Sequence, residues 1–117
     1  MYKHLLIATD GSSASSKAVA HGLALAKTLA AKVTAVTLTE AWTEAAYATL
    51  RTPSMMQIYE KAAAGNAAAT LDALKKAAAE AGVPCKTLHI KDQHAPEGII
   101  KAAKDEGCDL IVVGSRT

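Results

Sequence analysis

Leu5-Leu6-Ile7-Ala8, followed at once by Thr9-Asp10-Gly11-Ser12-Ser13, decides how this chain is read. Four consecutive aliphatic residues without polar alternation suit a strand whose sheet is covered by helices on both faces. The small polar residues after them suit a tight strand-to-helix turn in which Asp10, Ser12 and Ser13 are able to cap a helix. Three more aliphatic runs, Val33 to Leu38, Lys86 to Ile90 and Leu110 to Val113, alternate with long segments that carry Ala and Leu at helical spacing. The order predicts β-α-β-α-β-α-β and a parallel sheet.

A first helix is expected from near Ser13 to near Ala31, with Ala18, Gly22, Leu25, Ala26 and Leu29 on one face and Lys17, His21 and Thr28 away from it. A second is expected from about Met55 to Ala81, where Gly82 is free to take the left-handed position and Pro84 cannot continue a helix. A third opens near Pro96, carries Glu97 where the helix dipole favours an anion, and ends at Gly107. Thr39 to Ser54, with Trp42, Tyr47 and Pro53, has no clean period and exceeds an ordinary α/β loop, which marks it as a candidate flexible or functional excursion.

Length and composition narrow the class. A chain of 117 residues builds one core, not two. With four aromatic residues and no Phe, that core must consist of Leu, Ile, Val and Ala. A net charge of +2 spread along the chain forms no basic stripe, which argues against general nucleic-acid binding. The apolar run after Met1-Tyr2-Lys3-His4 is too short for a signal-peptide core or a membrane span, so a cytoplasmic protein with no membrane partner is expected. Cys85 and Cys108 lack CxxC spacing and are read as two buried, unpaired thiols.

No GxxxxGK[ST], GxGxxG, HExxH or GxSxG stands anywhere in the chain. A phosphate-accepting receiver domain would need an acidic pair after the first strand, and only Asp10 is there. The four histidines (His4, His21, His89, His94) are scattered, with no ligand spacing between them, and no metal site is expected. His94 alone falls in a loop before a helix. What remains are two turns, Ala8-Thr9-Asp10-Gly11-Ser12-Ser13 after the first strand and Val113-Gly114-Ser115-Arg116-Thr117 after the last. In a doubly wound sheet of order 3-2-1-4 both flank the point where connections diverge, and ligands bind there. Asp10 has the chemistry to accept hydrogen bonds from ribose hydroxyls or to help hold a cation. Gly114 permits close backbone approach, and Ser115 and Arg116 suit phosphates. The alternative stands beside it: Asp10, Ser12 and Ser13 only cap a helix, and Gly114 only turns the chain.

Three segments together resemble the universal stress protein family: Tyr2 to Ser12, Ala81-Gly82-Val83-Pro84, and Cys108-Asp109-Leu110-Ile111-Val112-Val113-Gly114-Ser115-Arg116. The resemblance implies a Rossmann-like α/β fold, strand order 3-2-1-4-5, a homodimer, and a stress-response module that binds an adenine nucleotide such as ATP or AMP, with or without Mg²⁺. It implies contacts from the loop Ala8, Thr9 and Asp10, from Leu38, and from Val113, Gly114, Ser115, Arg116 and Thr117, where Gly114 matches the first glycine of a G-x2-G-x9-G-[ST] ribose-and-phosphate motif whose remainder falls past residue 117. The second glycine of that motif would fall at Thr117, where a Cβ obstructs close approach. The family's fifth strand and last helix are expected beyond residue 117, leaving the fourth strand an uncovered edge. A nucleotide-free, dimeric interaction protein is the alternative. No enzymatic activity is expected, with slow ATP hydrolysis as the third reading, because no base with an orienting partner is evident.

Overall fold

The computed structural model describes residues 2–9, 13–39, 52–91 and 96–113. Seven elements follow in order: β1 (His4–Ala8), α1 (Ser13–Leu29), β2 (Lys32–Thr39), α2 (Pro53–Ala81), β3 (Cys85–Lys91), α3 (Glu97–Asp105) and β4 (Leu110–Val113). The four strands form one parallel sheet in the order β3-β2-β1-β4. Ala8 stands in register between Val36 of β2 and Val113 of β4.

Both faces of β1 are covered, as its uninterrupted aliphatic run requires: all five of its residues are buried. Leu5 and Ile7 pack with Leu23 and Ala26 of α1 and with Leu71, Leu74 and Ala78 of α2. Leu6 and Ala8 point the other way, into a smaller cluster with Val36, Ile90 and Ala102 and Ala103 of α3. Gly22 lets α1 approach the sheet, since a Cβ there would lie 2.9 Å from Cδ1 of the fully buried Ile7.

β4, although as continuously apolar as β1, is covered on one face only. Leu110 and Val112 pack toward α1, but Ile111 and Val113 are 38% and 52% exposed, because β4 is an edge strand and α3 lies over the β2–β3 side. Along α1 the buried stripe is Ser15, Gly22, Leu23 and Ala26, whereas Leu25 is exposed. Ala-rich helices leave the choice between neighbouring leucines to the partner surface, and here α2 and β1 select Leu23.

α2 begins two residues earlier than periodicity suggests. The Thr52 hydroxyl accepts a hydrogen bond from the Met55 amide at 3.1 Å, and Pro53 occupies the first turn, where a missing N–H costs nothing. It ends as expected, with Gly82 at φ 73° and the Val83 amide donating back to the Ala78 carbonyl at 2.9 Å. α1 ends in the same way without a glycine. Ala30 sits at φ 54°, and the Ala31 amide donates to the Ala26 carbonyl at 2.8 Å.

At the amino end of the sheet the Asp109 carboxylate accepts hydrogen bonds from the amides of Lys3 (3.0 Å) and His4 (3.1 Å), which ties the approach to β4 onto β1. Those two bonds hold the Asp109 carboxyl below its ordinary pKa. The His4 ring is buried, with Nε2 2.7 Å from the hydroxyl of the fully buried Thr34. Both cysteines are free and half-buried. Cys85 packs on the α1–α2 face and Cys108 on the α3 face, with β2 and β1 between their edges.

Candidate functional site

β1 and β4 are neighbours, yet the connection after β1 leads to β2 on the opposite side of it from β4. Their carboxyl ends therefore open the crevice expected at a topological switch point. Ala8 lines it from below, 5% exposed, with the half-exposed Val113 beside it. Leu38 lies two residues beyond Val36, the register partner of Ala8, on the same face of the sheet. Three positions far apart in sequence thus meet along one apolar rim.

Thr9 plays a different part from these three. Its amide donates to the Val36 carbonyl at 3.0 Å, extending the β1–β2 ladder by one residue. Its hydroxyl lies 2.8 Å from that of Ser15, and both side chains are buried. Thr9 thereby faces α1 and fixes the strand exit against the first turn of the helix. Ser15 is the residue that motif reading passed over. Its signal was present as the first member of the buried stripe continued by Gly22, Leu23 and Ala26.

Asp10, Gly114, Ser115, Arg116 and Thr117 lie outside the described residues, as does His94. The ionisable groups expected to supply charge to the crevice, Asp10 and Arg116, are thus sequence expectations. His4, His21 and His89 stand on three different elements, and the described residues contain no group of three or more His, Cys, Asp or Glu placed to hold a metal ion. Burial lowers the His89 pKa, with Lys91 adding to the effect. No described helix is long and apolar enough to cross a membrane.

The parallel sheet of order 3-2-1-4, with helices on both faces and a crevice at the β1–β4 switch point, defines a Rossmann-like α/β protein. Within that class the match is specific: the Universal stress protein family profile covers residues 1–117, and the chain belongs to that family. Among solved structures it is similar to a universal stress protein family member from Burkholderia pseudomallei, at 26% identity and TM-score 0.82, covering 97% of this chain and 82% of that one. A universal stress protein in complex with cAMP is 26% identical, with TM-score 0.68 over 96% of this chain and 75% of that one. An Arabidopsis thaliana family protein with AMP bound shares 15% identity, TM-score 0.69, and covers 97% and 76%; it speaks to the fold alone. No curated protein matches the chain.

Proposed function

We propose that this protein is an adenine-nucleotide-binding stress-response module, not a metabolic catalyst, working in the cytoplasm as a homodimer. The observation that supports the reading is the adjacency of the carboxyl ends of β1 and β4, where Ala8 and Val113, the residues from which the two turns depart, stand side by side. On this reading the adenosine part lies against Ala8, Thr9, Asp10 and Leu38, and the phosphates meet the Val113-Gly114-Ser115-Arg116-Thr117 turn. A carboxylate at Asp10 suits ribose hydroxyls or a Mg²⁺ ion carried in with ATP. The cAMP complex of a 26%-identical relative supports the ligand class.

Calorimetric titration tests it. Heat is expected with ATP, ADP or AMP. No heat up to about 1 mM, the limit where binding is worth about 4 kcal/mol, refutes the nucleotide role. Asp10→Asn keeps the capping ability and removes the charge, so about a tenfold loss of affinity, roughly 1.4 kcal/mol, at unchanged Tm is expected. Thr117, at a position where the family motif carries glycine, favours the second reading, a nucleotide-free interaction protein, and Thr117→Gly separates the two. Under the first reading it tightens binding; under the second nothing changes.

A further inference from the structure

α2 is longer than the sheet it covers. Its 29 residues span about 43 Å, whereas the 8 residues of β2 span about 26 Å. The helix runs back toward the amino end of the sheet, where Val83 and Pro84 lead into β3. Its surplus therefore projects past the carboxyl ends of the strands, the end at which Ala8 and Val113 open the crevice. The buried residues of α2 (Ala67, Leu71, Leu74 and Ala78) all belong to its second half. From Pro53 to Asn66 none is buried, and this arm carries Met55 and Tyr59 at 43% and 52% exposure.

The arm is weakest at its foot. Gly65 and Asn66, the last two residues before the buried stripe begins, are poorer helix formers than the alanines around them. No packing asks for a glycine at 65, since a Cβ there would meet nothing within 4 Å and the φ angle lies outside the left-handed region. What Gly65 contributes is the lowest helix propensity of any residue but proline, at the point where the sheet stops supporting the helix. A helix of about 12 residues without tertiary support is marginal in water, so bending at Gly65–Asn66 is the softest motion open to α2.

That foot stands beside the crevice. Ala69, one turn past Gly65, lines with Thr9 a groove of about 790 Å³ between α1 and α2, whose α2 wall continues through Ala73 and Ala77. Met55 and Tyr59 precede Ala73 and Ala77 by 18 residues each, five full turns at 3.6 residues per turn, so all four lie on one side of the helix. It is the side that looks toward α1 and the exit of β1.

We infer that Met55 and Tyr59 are base-binding residues of the nucleotide site, brought to it when α2 bends at Gly65–Asn66 toward α1 and its arm closes over the carboxyl ends of β1 and β4. Ala8, Leu38 and Val113, which rim the crevice, are aliphatic and offer no π-face. A phenol ring and a thioether supply what a flat heteroaromatic base packs against, Tyr59 by offset stacking and Met55 through its polarisable sulfur. A kink of about 25° at the foot of an arm about 18 Å long carries its tip through roughly 8 Å. The inference rests on the nucleotide reading above.

Pulsed electron spin resonance measures the motion in a chain carrying Cys85→Ala and Cys108→Ala, with labels at Ser54→Cys, an exposed position near the tip of the arm, and at Lys17→Cys, exposed on α1. Saturating ATP, ADP or AMP is expected to shorten the distance by about 5 Å or more, and by less in Gly65→Ala, which stiffens the foot. Calorimetry on the chain with its native cysteines is expected to show about a tenfold loss of nucleotide affinity in Tyr59→Ala, with Tm and circular dichroism of the unliganded protein not lowered, while Tyr59→Phe and the off-face Lys61→Ala bind as the parent does. Nucleotide heat with an unmoved label distance, equal shortening in Gly65→Ala, or full affinity in Tyr59→Ala overturns the inference and leaves the nucleotide reading standing. No heat from any of the three nucleotides overturns both.

Discussion

The Thr9–Ser15 hydroxyl pair offers the sharpest test of how the crevice is held. Ser15→Ala removes one buried partner, and Thr9→Val removes the other while keeping the side-chain shape. A neutral hydrogen bond contributes about 1 kcal/mol net, and more where a group is left buried without water. Alanine regains about 0.5 kcal/mol of helix propensity at position 15, so the single Ser15 variant understates the bond. The double-mutant cycle removes that offset, and a coupling of about 1 kcal/mol is expected between the two sites. At about 2.1 cal/mol/K per residue, a 117-residue chain has an unfolding entropy near 0.25 kcal/mol/K, which makes that coupling about 4 °C of Tm. Thermal unfolding of the four proteins by circular dichroism measures it. A coupling below about 0.3 kcal/mol, within the additivity expected of independent sites, refutes the claim that this pair locks β1 to α1.

Three other outcomes follow from the same geometry. Ala30→Gly is expected to raise stability by about 0.5 kcal/mol: it removes roughly 1–2 kcal/mol of left-handed strain at φ 54° and loses up to about 1 kcal/mol through the more flexible unfolded chain. A lower denaturation midpoint would contradict that balance. His4 has its pKa lowered first by burial and then by Lys32, so the unfolded chain binds the proton more readily than the native one. Its contribution is present above the ordinary value of 6.5 and is lost as pH falls through the native pKa, so Tm should drop between pH 7.5 and pH 5.5, and by less in His4→Gln, where, among the described histidines, the similarly shifted His89 still titrates this way. An identical pH profile for His4→Gln would refute it. Burial raises the pKa of Cys85 and of Cys108, so both thiols should react slowly with a thiol reagent in the native state and fast after denaturation without reductant. Recovery of an intramolecular disulfide would contradict the placement of the two cysteines on opposite faces of the sheet.

Much of this protein is carried by local sequence. The run Leu5 to Ala8 requires a strand covered on both faces, and Gly82 with Pro84 requires the stop of α2, because each demand is met within a few residues of backbone. The alternation of elements, with right-handed crossovers, leaves few sheet orders open. The two turns after β1 and β4 could be singled out as a pair before their strands were seen to be neighbours. Other features depend on what lies opposite. Leu23 and Leu25 are equivalent to a helical pattern, and only the surface formed by β1 and α2 chooses between them. Ser15 looks like one more serine at a helix start until Thr9 is folded back against it. Thr9 itself shares a loop motif with Ala8 but faces the opposite side of the sheet, since side chains alternate along an extended strand.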